Sequence, residues 1–445
     1  MTVLSDDGVE EPETAPAPPV ERRKRSWAPV YFLAPALVLL GAIVVYPIFF
    51  SVGRSLFDAG GGRFVGLDNY EEMFTSESTR TAIRNNLIWV VFAPSIVTAV
   101  GLVFAVLTER IPWSTAFKVA IFMPMAISFL SAGVTWRLIY EQDPDIGLAN
   151  ATVGAVVSVF RPPGELPGAR PSQEDAFRRA GDGSLEGIDP VEAGGTVGFG
   201  LVAIPPEEVP EAAVQAVAPA RDDGIAGVVW LDFAPGGGGV RGSIDPNELG
   251  LPGVDVEAVS GGEVVASATS GADGTFVLDG LQPGSYDVRL PQSNFREPFG
   301  GFTWLGPTLV TPAIIVSYVW IWAGFAMVVI AAGLAAIPRE TLEASRVDGA
   351  NEWQVFGRVT VPLLAPLLAV VFVTLVINVL KIFDLVLVIA PGSAQRDANV
   401  IALQLWKTAF GIRDFGLGSA LAVFLLLLVL PAMAFNIRRF RAEQS

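Results

Sequence analysis

Six stretches of the chain stay apolar for at least about 20 residues, the length a helix needs to cross a bilayer. They are 30–52, 87–107, 117–140, 308–337, 366–390 and 417–436, and the first, second, fourth and sixth contain no Asp, Glu, Lys or Arg. Six such runs packed into one water-soluble core would leave almost no polar face for solvent. The pattern therefore predicts an all-α polytopic membrane protein with six transmembrane helices. The first run is too long, and too poor in small residues at a cleavage point, to be a removable leader. Between the third and fourth runs the pattern changes. Residues 161–221 are rich in Pro, Gly, Glu and Ala and read as an extracytoplasmic linker. Residues 222–292 alternate with period two, in runs such as Val254-Asp255-Val256-Glu257-Ala258 and Thr275-Phe276-Val277-Leu278, broken by Gly and Pro turns. That is the pattern of a small β-sandwich.

Composition agrees with a membrane protein: 51% of residues are hydrophobic and only 17% charged, against roughly 25% charged in a soluble domain. The net charge of −16 is local. Residues 141–300 hold 25 Asp and Glu against eight Arg, leaving 20 acidic and 21 basic residues elsewhere. No basic stripe for nucleic acid is present. With neither Cys nor His in the chain, thiolate and imidazole metal sites and Ser-His-Asp triads are excluded. Basic residues favour the cytoplasmic side. Arg22, Arg23, Lys24 and Arg25 precede the first run and Arg438, Arg439 and Arg441 follow the sixth. Both termini, including a tail over 1–29, are thus expected in the cytoplasm, with the 161–292 insertion outside.

The loop after the fourth run carries the most specific pattern. It reads Pro338-Arg339-Glu340-Thr341-Leu342-Glu343-Ala344-Ser345-Arg346-Val347-Asp348-Gly349-Ala350 and continues to Val359-Thr360-Val361-Pro362. Pro338 can open a helix, where its missing N–H costs nothing. Small Ala344 and Ser345 allow a partner to approach, Gly349 lets the backbone turn, and Pro362 would mark the start of the fifth span. This loop resembles the coupling loop of binding-protein-dependent importer permeases, in which Glu-Ala-Ala, three residues and Gly are followed by Ile-x-Leu-Pro. Ser345 stands for the second Ala, and Val359 and Val361 for Ile and Leu. The resemblance extends to Tyr31-Phe32-Leu33-Ala34-Pro35-Ala36, Phe64-Val65-Gly66-Leu67-Asp68-Asn69-Tyr70, Phe122-Met123-Pro124 and Lys381-Ile382-Phe383-Asp384, which are similar to sugar permeases of the maltose type. Within that group, Leu380 to Asp384 and the ending Phe435-Asn436-Ile437-Arg438-Arg439-Phe440-Arg441 look most like α-glucoside permeases.

The resemblance implies a type I ABC importer permease in a bacterial plasma membrane, with transmembrane helices over 30–160 and 301–441 and a coupling loop over 338–362. It implies a second permease subunit, two ATPase subunits and an extracytoplasmic sugar-binding protein as partners. Glu343, Ala344, Ser345, Asp348, Gly349, Ala350 and Pro362 would couple to the ATPases. ATP and Mg would be bound by those partners. The chain carries no cofactor of its own and, with no Gly-Lys dipeptide, lacks a phosphate loop. The expected cargo is a sugar such as a maltose- or trehalose-type disaccharide, with another solute such as glycerol phosphate as the alternative, and a membrane-anchored adhesin as a remote one. For the path through the membrane, the fifth run is the one with ionisable residues deep inside, Lys381 and Asp384. Charges there usually face a cavity or each other. Thr374, Asn378 and Lys381 fall within about 60° on a helix, and Trp320, Trp322 and Phe325 on the fourth run could supply rings for a sugar to stack on.

The insertion has a resemblance of its own. Asp273-Gly274-Thr275-Phe276 followed by Gly280-Leu281-Gln282-Pro283-Gly284-Ser285-Tyr286 is similar to the prealbumin-like repeats of Gram-positive surface proteins. Some of those repeats carry a Lys–Asn cross-link, impossible here without a lysine in the segment. Others bind calcium on acidic loops. Asp232, Asp245 and Glu248 stand where such a loop would be, and solvated turn residues are the alternative.

Overall fold

A computed structural model describes residues 28–442 apart from Arg110, Arg221, Asp222 and 234–238. The expected tail therefore lies almost wholly outside the described residues, as do the side chains of the terminal arginines. The chain divides into two compact units, Met1–Arg80 with Gln404–Pro431, and Thr81–Leu403 with Ala432–Ser445.

In the first unit the chain is helical from Ala28 to Arg54, with one π turn at Gly41–Val45. Arg54 ends it by donating to the carbonyls of Asp58 and Ala59 at 2.7 and 2.6 Å. The Asn69 amide then donates to Ser55 O and Phe57 O, folding the connection back into helix Asp68–Thr75. Phe74 meets Phe424 of helix Phe415–Ala442 edge to face. That last helix coincides with the sixth apolar run.

Four described helices are long and apolar enough to cross a membrane: Val30–Arg54, Glu77–Glu109, Val310–Ala335 and Glu352–Leu380. Val310–Ala335 is the most enclosed, with Ile314, Tyr318, Ile321 and Met327 packed against Trp89, Leu375, Val379 and Ile389. Gly324 lets it touch the Ile121 carbonyl, a place no Cβ could share. Two expected spans are interrupted. The run 117–140 is not one straight helix: Ser114–Ala126 and Phe129–Ile139 meet at 101°. Pro124 lies in a tight turn at Met123–Ala126, Ile127 is extended, and Ser128 restarts the chain as a cap through its hydroxyl. The run 366–390 likewise breaks after Leu380 and resumes at Asp384–Ile389. Pro362 does not open its helix, because helix already runs from Glu352. A π turn at Phe356–Thr360 sits where the missing proline N–H interrupts the usual ladder.

The insertion forms two sheets around one apolar core. Its strands are β1 (Arg170–Pro171), β2 (Phe177–Arg179), β3 (Leu185–Gly187), β4 (Val191–Glu192), β5 (Thr196–Val202), β6 (Ile225–Leu231), β7 (Asp255–Ser260), β8 (Glu263–Thr269), β9 (Thr275–Leu278) and β10 (Ser285–Leu290). One sheet runs β1-β5-β6-β9, the other β2-β3-β10-β7-β8 with β4 also on β10. Where a linker was expected over 161–221, the chain instead supplies five of these strands. Phe199 and Leu201 of β5 are fully buried, and β5 pairs in parallel with β6. Each such side chain contributes about 1.5–3 kcal/mol of burial, enough to order a segment whose Pro and Gly content reads as loop. The Asp273-Gly274 turn is as expected: Asp273 accepts from the backbone and hydroxyl of Thr275, and Gly274 has φ +79°.

Candidate coupling surface and membrane cavity

The loop after Val310–Ala335 is built from capping chemistry. Helix Arg339–Val347 follows Pro338, which acts as its cap residue. At the other end Gly349, at φ +87°, donates to Arg346 O, and Ala350 N–H donates to Ser345 O. This pair of bonds is a Schellman closure, in which the residue after the cap must be left-handed. The spacing from Ala344 and Ser345 to Gly349 is thus the geometry of a helix end. Asn351 then caps Glu352–Val355 reciprocally with Gln354, and Arg346 Nε bonds the Glu352 carboxylate across the turn at 2.8 Å. That carboxylate holds the Arg346 guanidinium above its ordinary range. Glu343, Ala344, Asp348 and Gly349 are exposed, Ser345 and Ala350 half-buried. Ser345 spends its hydroxyl on Thr341 O. Val347 and Trp353 are 86% and 83% exposed, two large apolar groups flanking the turn, of which Trp353 meets the Phe356 ring only at an edge.

The second site lies where the interrupted helices meet. A cavity of about 250 Å³ is lined by Phe129, Tyr318, Trp322, Asn378, Lys381, Ile382, Phe383, Asp384 and Leu385. Phe129 begins the helix after the 101° bend, and Lys381 to Leu385 span the break after Leu380. Gly133 brings Val388 against that first helix. Lys381 caps the C-terminus of one helix and Asp384 opens the next, the two ends whose dipoles favour those charges. Neither has an ion-pair partner within 4.0 Å among the described residues. Tyr318 and Trp322 stack at 5.9 Å. Tyr318 OH and Trp322 Nε1 are buried and find no hydrogen-bond partner among the described residues. An unmet buried donor costs about 1–3 kcal/mol, and since neither atom is accessible, Asn378, Lys381 and Asp384 are the residues that give the cavity its polar wall.

The family described as the binding-protein-dependent transport system inner membrane component matches residues 271–438. The alpha-glucoside transport system permease protein AglF of Rhizobium meliloti is 30% identical over 425 residues, 95% of this chain and 85% of that one. The chain belongs to this permease family. The osmoprotective compounds uptake permease protein GgtC of Synechocystis sp. is 29% identical over 418 residues, covering 93% and 99%. Among solved structures, a bacterial ABC transporter involved in import of the acidic polysaccharide alginate superposes with a TM-score of 0.53 at 15% identity, over 93% of this chain and 96% of that one. It shares the type I importer permease fold.

Of the residues expected along the path, the permease brings Trp322, Asn378, Lys381 and Asp384 to the cavity and leaves Thr374, Trp320 and Phe325 off its wall. Thr374 turns its hydroxyl to Val370 O, and its own carbonyl accepts from the Asn378 amide. Trp320 packs edge to face on Trp136, and Phe325 on Trp322. Sequence reasoning missed Phe129 and Tyr318. Tyr318 stands one turn before Trp322, so following the aromatic face one step further would have reached it. Asp232, Asp245 and Glu248 brace their own loop: Asp232 accepts from Gly242 N–H, Asp245 from Val240 N–H and Glu248 from Asp245 N–H. Among the described residues no group of three acidic side chains is arranged to hold a metal.

Proposed function

We propose that the permease imports a sugar, an α-glucoside such as a maltose- or trehalose-type disaccharide, by alternating access around the cavity between Tyr318, Trp322, Asn378, Lys381 and Asp384. The observation that carries this reading is the pairing of stacked aromatic rings with the amide of Asn378 and the charged groups of Lys381 and Asp384 in one pocket. Sugar rings stack on such faces, and sugar hydroxyls exchange hydrogen bonds with such polar groups. The Lys381 and Asp384 charges offset each other, which suits a neutral solute better than a phosphate ester. AglF, named for alpha-glucoside transport, is a supporting relative. In this reading a second permease completes the path and two cytoplasmic ATPase subunits, holding ATP and Mg, dock on 338–362 around Glu343, Ala344, Asp348 and exposed Trp353. A binding protein delivers the sugar on the opposite side. Both termini are cytoplasmic, and the β sheets lie outside with the binding protein.

Uptake of labelled maltose, trehalose and glycerol phosphate into proteoliposomes containing the assembled complex tests the assignment. Asn378→Ala should lower glucoside transport several-fold while ATP hydrolysis by the complex persists. Lys381→Met should spare a neutral glucoside more than it would an anionic solute. Glycerol phosphate as the transported species, abolished by Lys381→Met, would replace the sugar reading. Unchanged kinetics in both variants would show that the cavity is not on the path.

A further inference from the structure

Helix Leu148–Phe160, between the bent pair and the sheets, belongs to neither site. Its 13 residues include no charge. At 1.5 Å per residue it is about 20 Å long, too short for a hydrocarbon core of about 30 Å. Its two faces differ in an unusual sense. Leu148, Thr152, Ala155, Val156 and Val159 fall within one arc of roughly 100°, and all are exposed. Val156 and Val159 are 57% and 76% exposed, as is 81% of Phe160 at the end. The opposite face carries the fully buried Asn150. A surface helix of a water-soluble domain turns its apolar arc inward, whereas this one turns it out.

Asn150 fixes the level at which the helix sits. Its amide donates to the carbonyls of Glu141, Gln142 and Phe302, and its Oδ1 accepts from Phe302 N–H and the Trp304 indole N–H. Glu141 and Gln142 follow Tyr140, the C-cap of helix Phe129–Ile139, and 302–304 lead into Val310–Ala335. The helix is therefore tied to the ends of two membrane elements. At the same level Trp136, Tyr140, Trp304, Phe302 and Phe299 form a continuous chain of ring contacts, with centroids 5.2–6.2 Å apart. Aromatic rings collect in this way at the boundary between lipid and water. Gly154 abuts the Phe299 ring, so the inward face lies on that belt. Arg161 follows the helix, and its side chain has no hydrogen bond or ion pair among the described residues.

We infer that Leu148–Phe160 is an interfacial helix whose Leu148, Val156 and Val159 face is covered by the acyl chains of the leaflet next to the sheets, with Arg161 at the level of the lipid phosphates. The exposed arc offers no hydrogen-bonding or charged group for a protein to read apart from the Thr152 hydroxyl, which is spent on Leu148 O. The helix rests by its inward face on the belt of rings at Phe299, so its outward arc stands at the level of that belt. The insertion is strongly acidic, and an anionic lipid surface repels acidic segments as it attracts basic ones. An apolar anchor at its base would hold it down against that repulsion.

The chain has no cysteine, so single spin labels can be placed cleanly. Val156→Cys, Val159→Cys and, as a water-exposed control on β8, Val265→Cys would be labelled in the full transporter with cysteine-free partners. The complex would be reconstituted in vesicles of phosphatidylcholine and phosphatidylglycerol. Collision with dissolved oxygen should exceed collision with a water-soluble nickel chelate several-fold at 156 and 159, corresponding to a depth of about 5–10 Å, and the ratio should invert at 265. Nickel access at 156 and 159 equal to that at 265 would overturn the inference in favour of a face open to water. Protection from both reagents would overturn it in favour of a protein partner.

Discussion

The Gly349 turn offers the most direct test of whether the 338–362 loop acts through its shape. Gly349 sits at φ +87°, and a Cβ added there meets no atom within 4 Å. Substitution therefore carries no packing cost, only that of holding an L-residue in the left-handed region. For Ala that cost is about 1–2 kcal/mol, a factor of roughly 5–30 in the population of the closed turn. Asn adopts this conformation far more readily, so Gly349→Asn should recover most of what Gly349→Ala loses. The two bonds that the turn holds, Gly349 N–H to Arg346 O and Ala350 N–H to Ser345 O, connect Arg339–Val347 to Glu352–Val355. Opening them would change the angle at which Val347 and Trp353 are presented. The assay is uptake per ATP hydrolysed in proteoliposomes, normalised to inserted permease. Gly349→Ala should lower this ratio several-fold with normal insertion, and Gly349→Asn should lie near the parent. Asn no better than Ala would mean that bulk at the surface, not backbone conformation, is what matters. Wild-type behaviour in both would refute a coupling role for the turn.

Two further outcomes follow from hydrogen bonding and burial. Asn150→Ala removes five bonds that hold 141–142 to 302–304; a net loss of about 3 kcal/mol should speed hydrogen exchange of the Phe302 amide in the full complex on the order of a hundredfold, and unchanged exchange would show that the clamp is redundant. Burial, with the nearby Asp232 and Asp245 charges adding to it, raises the Glu248 carboxyl above its usual 4.5. Its folded pKa exceeds the unfolded one, so its contribution is fully present below 4.5 and is lost as pH rises through the raised value. Glu248→Gln should therefore reduce protease cleavage of the sheet region at neutral pH relative to the parent and converge with it in acid. Equal cleavage at all pH values would show that the side chain is not strained when ionised.

What the sequence made legible, and what it hid, divides by the kind of physics involved. Apolar runs announce a membrane chain because each residue adds independently to the cost of leaving lipid. The Glu343-to-Gly349 spacing announced a turn because a helix end needs a left-handed residue at one place. The 101° bend and the break at 381–383 were not visible, because hydropathy sums composition over a window and is blind to direction. Pro124 and Ser128 were in plain view, yet a proline inside an apolar run is also tolerated without a break. The strands over 170–202 were hidden for a different reason. They are two to seven residues long, too short for alternation to rise above the surrounding Pro and Gly. Phe177, Phe199 and Leu201 earn their order from β6, β9 and β10, which lie far along the chain. Three of the seven expected path residues stayed off the cavity, since Thr374, Trp320 and Phe325 could satisfy themselves locally or against a neighbouring ring.

The break at 381–383 also explains how a lysine and an aspartate can stand inside an apolar run without pairing. In an unbroken helix Lys381 and Asp384, three residues apart, would lie on neighbouring positions of one face, and mutual neutralisation would be the cheapest arrangement. Breaking the helix between them replaces that solution with two separate ones. Lys381 faces the carbonyl end of Val361–Leu380, and Asp384 faces the amide end of Asp384–Ile389, so each charge is stabilised by backbone dipoles and keeps side-chain bonding capacity. Irregular backbone at membrane depth survives only where it is buried in protein or lines a cavity, and here it lines one. The bend at Ile127 and Ser128 brings Phe129 to that cavity, while Gly133 permits the contact with Val388 that holds the two interrupted elements together. The two breaks are thus one feature: each opens a gap in its own helix, and the gaps share a wall furnished with Tyr318, Trp322 and Asn378. A pair of continuous helices with the same composition would bury those groups against each other and leave no room for a guest.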